Sequence, residues 1–154
     1  GIAYMAHELS IELILDAPAE KLFRCHSEAA LLQQWFAPKP WTITSTDIDF
    51  RPGGKMAFVM ASPEGQAFPN AGIYLEIVPN KRIVSTDAVT PDFQPSGPFM
   101  IAEVTFEDLG NGKTRYRAVA RHWNEETMKQ HEQMGFAPGW TQTAKQMEAL
   151  AQTL

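Results

Sequence analysis

One cysteine, Cys25, stands in 154 residues, so no disulfide can close within the chain and no thiolate cluster can hold a metal. Cys25 itself reads as a small buried apolar residue, since its histidine neighbour His26 would point away from it on a helix. A reducing, cytoplasmic location is expected. Long hydrophobic runs are missing too: nothing approaches the roughly 20 apolar residues that a spanning helix takes, so no membrane partner is expected. The opening "GIAYMAHE" lacks the basic region, apolar core and small-residue cleavage site of a signal peptide, and residues 1–6 read as a tag remnant or a disordered start. Basic residues are few, 13 against 18 acidic, and scattered, which removes the footprint of a nucleic-acid binder. The four histidines fall at unrelated spacings, with neither H-x-x-x-H nor H-E-x-x-H, so no metal and no cofactor are expected.

What is present is the composition of a globular domain, 44% apolar and 20% charged, long enough to bury a core without staples. Residues 1–154 read as a single domain. "HELSIELILDAP" alternates Leu9, Ile11, Leu13 and Leu15 against Glu8, Ser10 and Glu12, a half-buried strand ended by Pro18. From Pro18 to Gln34 the period turns helical, predicting two short helices joined near His26, with Ser27 as N-cap of the second. Further alternating segments run from Trp41 to Phe50, Lys55 to Ala61, Gly72 to Val78, Arg82 to Ala88, Phe99 to Glu107 and Thr114 to His122. "RPGG", "VPNKR" and "LGNGKT" supply the Pro, Asn and Gly of tight reversals, Gly53 and Gly54 making a turn at positive φ. Asn124 caps a helix that breaks in "GFAPG", at Pro138; from Trp140 on, Thr143, Ala144, Met147, Leu150, Ala151 and Leu154 form an apolar stripe that has only the sheet to lie against. The expected fold is α+β: a helix-grip fold, with a curved seven-stranded antiparallel sheet wrapped around a long C-terminal helix and two short helices after strand one.

"LLQQWFAP", "DFRPGGKMAF", "GIYLEIVPNKRIVST", "AEVTFEDLGNGKTRYRAVA" and "HEQMGFAPGWTQTAKQMEALAQTL" follow one another over nearly the whole chain. In that order they resemble the family of homologues of the activator of the heat-shock protein 90 ATPase. It is a branch of the superfamily that also holds the polyketide cyclases and the steroid-transfer START domains. The resemblance implies the fold; function stays open, because that fold serves binders and enzymes alike.

Three functions are compatible with these residues. The leading one is a protein that binds a small apolar molecule between the sheet and the last helix. Trp35, Phe36, Met56, Phe58 and Met60 would line the cavity, faced by Met128, His131, Met134 and Trp140, with Tyr74 and the small Ala118 and Ala120 inward on their strands. Equally, Trp35 and Phe36 could simply close one end of the core. The second is an enzyme similar to the polyketide cyclases, with His122, Glu76 or Tyr74 moving protons. His122 ends an inward-facing series and could meet His131 across the mouth, or be a satisfied structural histidine. Glu76 matches the alternation of Tyr74, which leaves its direction undecided; an inward Glu76 would be the acid or base of the pocket. The third is a co-chaperone-like interaction module. A second copy of the chain is admitted as a partner, and His7 and His26 read as surface residues. Because the histidine spacings build no tetrahedral site, elemental analysis of protein purified without added metal should find no stoichiometric zinc or iron.

Overall fold

The computed structural model describes residues 7–97 and 99–154, so residues 1–6, read above as a tag remnant or disordered start, lie outside the described residues. In chain order come β1 (His7–Leu15), α1 (Ala19–Ser27), α2 (Ala29–Leu32), β2 (Thr42–Ile48), β3 (Lys55–Ala61), β4 (Ala67–Val78), β5 (Arg82–Thr86), β6 (Ile101–Gly110), β7 (Lys113–His122), α3 (Glu125–Gln133) and α4 (Phe136–Ala151). The strands form one antiparallel sheet in the order β1-β7-β6-β5-β4-β3-β2. Six strands follow as a meander, and β1 closes the other edge against β7. With α4 lying against it, this is the helix-grip fold.

Alternation sorts the sheet into a core face and a wet face. Directly opposed pairs share a face, so Ile11↔Ala118, Val104↔Ala118, Phe106↔Tyr116 and Ile83↔Val104 put the apolar residues inward. On the outer face Glu8, Arg121, Glu103, Arg82 and Glu76 join in a ladder of ion pairs of 2.7–3.5 Å. Most of these side chains are half-exposed, so the ladder adds little stability and chiefly keeps the face wet.

Three local expectations are corrected. Ser27 is the last residue of α1, its hydroxyl turned back onto the Arg24 carbonyl; Glu28 caps α2, without a side-chain hydrogen bond. The C-terminal helices break at Gly135, which takes φ 91°, rather than at Pro138. Pro138 sits in the first turn of α4, where its missing N–H would have had no helical partner, and the ladder resumes at once with Gly139 N–H donating to the Gly135 carbonyl at 2.9 Å. Of the glycine pair, only Gly53 has positive φ, at 79°; Gly54 is required because a Cβ there would stand 2.0 Å from the Asp49 carbonyl oxygen.

The α4 stripe docks as its period demands: Ala144, Met147 and Ala151 are buried, and Leu150 and Leu154 pack against the same core. Met147 has no exposed surface. Met147→Ala should therefore lower stability by about 2–5 kcal/mol, read as a fall in the urea midpoint, with an unchanged midpoint showing that the helix is not docked.

Candidate functional site

Cover over the inner face is uneven. α4 packs on β1 and α1, and α3 on β1 and β7, so the strands on the other side of the sheet receive less of it. Ile11, Tyr116, Ala118 and Ala120 are at most 9% exposed. On the same face Met56, Phe58, Met60, Ser85, Ala102 and Val104 are only half-buried. That partly open stretch of the inner face over β3, β5 and β6 is the candidate site.

One wall is aromatic. Trp35 is buried and its indole N–H donates to the Cys25 carbonyl at 2.9 Å, so it plugs the end of the core with its polar atom satisfied. Phe36 stands edge-on to Trp35 at 5.2 Å and to Phe58 at 5.1 Å, carrying the aromatic surface from that plug to the half-exposed β3. The stretch "WFAPKPWTITSTDIDFRPGGKMAF" thus closes the core and carries aromatic surface on to β3.

Two buried histidines meet where β7 runs on toward α3. His122 Nδ1 donates to the His7 carbonyl at 3.0 Å, since a carbonyl can only accept. When His122 is neutral its Nε2 must then accept the Nδ1–H of His131, 2.8 Å away. His131 is the one buried residue of α3, and Phe99, Phe136 and Trp140 surround its ring at 4.8–5.8 Å. Burial, and next the neighbouring His122, hold the His131 imidazole down at about 4. Among the described residues no group of three His, Cys, Asp or Glu side chains is placed to ligate a metal ion.

Other candidates fall differently. Glu76 turns outward to Arg82, 2.8 Å away, because a bulge between Tyr74 and Glu76 lets Leu75 and Glu76 both face solvent; it is not a pocket carboxylate. Met134 ends α3 and is 69% exposed, so it faces no groove. Ala118 and Ala120 are sealed at 2% and 0%, so packed side chains and not open space lie above them. Tyr74 is inward and buried; Met128 and Trp140 are half-buried on the helical side. His26 is not a surface residue: it is 7% exposed, its Nε2 is 3.2 Å from the Tyr116 hydroxyl, and it meets Trp35 and Phe106 edge-on. Burial pushes its imidazole down to about 3.

Residue patterns pointed to neither Phe99 nor Ser85. Phe99 precedes β6 in an irregular Pro-flanked segment, and Ser85 interrupts the apolar face of β5. Ala102 had a signal, its alternation with Met100 and Val104. Separately, a solvent-open hollow of about 270 Å³ lies between α2 and the start of β2, lined by Gln33, Gln34, Trp35, Lys39, Trp41 and Thr42 among others. It holds none of the histidine or Tyr74 chemistry, and the partly open inner face is the better candidate.

Residues 16–152 match the family model described as Activator of Hsp90 ATPase homolog 1-like protein. Among solved structures, the protein NE0264 from Nitrosomonas europaea is 39% identical, with a TM-score of 0.91 over 95% of this chain and 94% of that one. CV1439 from Chromobacterium violaceum is 26% identical, with a TM-score of 0.74 over 93% and 96%. A protein from Arthrobacter aurescens, at 22% identity and a TM-score of 0.82 over 97% and 88%, shares the fold. No curated protein matches the chain. No helix among the described residues is long and apolar enough to cross a membrane.

His26 and His131 make stability depend on pH in a defined direction. Both are held neutral when folded but protonate near 6.5 once unfolded, so the unfolded chain binds the extra protons. Stability is full above pH 6.5 and is lost as pH falls toward about 4 for His131 and about 3 for His26. Each contributes a slope of up to about 1.4 kcal/mol per pH unit. Urea midpoints should thus drop between about pH 7.5 and about pH 5. His26→Gln, which cannot titrate, should lose part of that drop; an unaltered pH dependence would show that His26 is not held neutral.

Proposed function

The chain belongs to the Activator of Hsp90 ATPase homolog 1-like family, whose fold commonly binds ligands, and we propose that it holds a small apolar molecule in the groove between the inner face of β3–β6 and the α3–α4 side. The observation that carries this reading is the half-exposed run of Met56, Phe58, Met60, Ala102 and Val104 on the core face of the sheet. Large apolar side chains left partly exposed are placed to gain from a guest that completes their burial, about 25 cal/mol for each Å² covered. Methionines suit such a wall because three rotatable bonds let them follow a guest's outline. The small Ser85 and Ala102 between them leave depth.

One observation favours a second reading, a proton-moving enzyme similar to the polyketide cyclases: the 2.8 Å contact between His122 and His131. His122 fixed by the His7 carbonyl leaves His131 Nε2 as the free lone pair of the neutral pair, a base at the groove's helical wall. Deuterium uptake at the acidic C–H of a small diketone tests it. Uptake no faster than with His131→Gln would remove this reading.

The binder reading is tested with Nile red, a neutral apolar dye. Its fluorescence should saturate near one dye per chain. Ala102→Leu, which fills the open floor at a half-exposed site, should weaken binding on the order of tenfold while leaving the urea midpoint nearly unchanged. Ala118→Leu should instead overpack a sealed site and cost about 1–3 kcal/mol of stability. Dye binding untouched by Ala102→Leu would remove the groove as the site.

A further inference from the structure

Tyr74 is 2% exposed and its hydroxyl oxygen is sealed from solvent without a hydrogen-bond partner among the described residues. A buried hydroxyl left unpaired costs more than a typical hydrogen bond returns, and a phenylalanine would fill the same space without that cost. The hydroxyl is also held in place. The Tyr74 N–H donates to the Gly54 carbonyl at 3.0 Å, the Tyr74 carbonyl accepts from Gly53 N–H at 2.7 Å, and the Phe50 ring meets the tyrosine ring edge-on at 5.0 Å.

Its place in the sheet says what it faces. Ala120↔Ala102, Ala102↔Ser85 and Ser85↔Tyr74 are directly opposed, so one row across four strands runs from three small side chains to the tyrosine. Two of the three, Ser85 and Ala102, are half-exposed floor of the groove. On the other flank Met56 lies opposite Gly72, which offers no side chain to hold it, and is half-exposed. For a guest on Ser85 and Ala102 to reach the sealed hydroxyl a neighbouring side chain would have to shift, and Met56, partly buried against the same core, has the three rotatable bonds to do so.

We propose that the Tyr74 hydroxyl is the hydrogen-bond donor for a neutral carbonyl or ether oxygen of the bound molecule, so that the groove selects flat apolar compounds carrying such an oxygen. This rests on the binder reading and deepens it. The chemistry of the surroundings sets the class. Burial raises the phenol well above its ordinary value, so it stays protonated and donates. The inward neighbours on the flanking strands, Met56 and Ser85, carry no charge to compensate a carboxylate or phosphate, so an anion would be desolvated without return.

The test compares acetylnaphthalene with ethylnaphthalene, which share a shape and differ in the carbonyl oxygen, on the wild type and on Tyr74→Phe. The affinity ratio of the acetyl to the ethyl compound should fall roughly tenfold in Tyr74→Phe, the loss of one buried hydrogen bond. In the absence of any compound, Tyr74→Phe should unfold at the same urea concentration as the wild type or a higher one. A ratio unchanged by the substitution overturns the assignment of Tyr74 while leaving the binder reading intact. A lowered urea midpoint overturns it too, by showing that the hydroxyl already has a partner at rest. Binding of neither compound to the wild type removes both readings.

Discussion

The structure turns on how little of a seven-stranded sheet one helix can cover. At about 4.8 Å between strands the sheet is roughly 29 Å wide, while a helix with its side chains is about 10–12 Å across, enough for two or three strands. α4 spends its stripe at the β1 edge and against α1. The opposite side must then be closed by side chains, by α1 and α2, or by something else. Phe23, Phe50, Phe106 and Tyr116 close the centre in edge-on contacts. Over β3, and again over parts of β5 and β6 beyond the sealed Tyr74 of β4, inward side chains are only partly buried, and the candidate site is what remains.

The polar groups inside the grip follow the same division. Three inward polar groups have found a protein partner: Trp35 the Cys25 carbonyl, Thr114 the Ala17 carbonyl at 2.8 Å, His26 the Tyr116 hydroxyl. These bonds lock the β1 side and the short helices together. Between β7 and α3 the two histidines satisfy each other and a backbone carbonyl, an arrangement with room for one proton between them. Second protonation would set two N–H groups face to face in a buried cluster of aromatic rings. Tyr74, by contrast, is buried with its hydroxyl unpaired among the described residues, beside the partly open Ser85.

Family membership narrows the fold far more than the chemistry. A protein 39% identical superposes over nearly the whole of both chains, and others near 25% keep the same path. A scaffold that survives such divergence is maintained by the alternation of its strands and by the stripe of its last helix, which many side-chain sets can supply.

Short-range pattern was enough for the strands, the meander and the docked α4 stripe, because period two and period 3.6 are properties of neighbouring residues. Pattern left the meeting of His122 with His131 as one of two readings, since one ends an inward strand series and the other lies in the last turn of the next helix; the 2.8 Å contact is seen only in the structure. Three outcomes needed the tertiary structure. Glu76 faces out because a bulge at Leu75 changes the register, and a bulge is specified by the pairing of two strands rather than by either one. His26 is buried because α1 lies with that face on Phe106 and Tyr116, residues 80 to 90 positions away. Ala118 and Ala120 are covered while Ala102, with the same side chain on the next strand, is not, because α3 and α4 settle over the β1 edge. Residue type announced which side chains would be inward; only the placing of one helix on one side of the sheet decided which of them are left facing a groove.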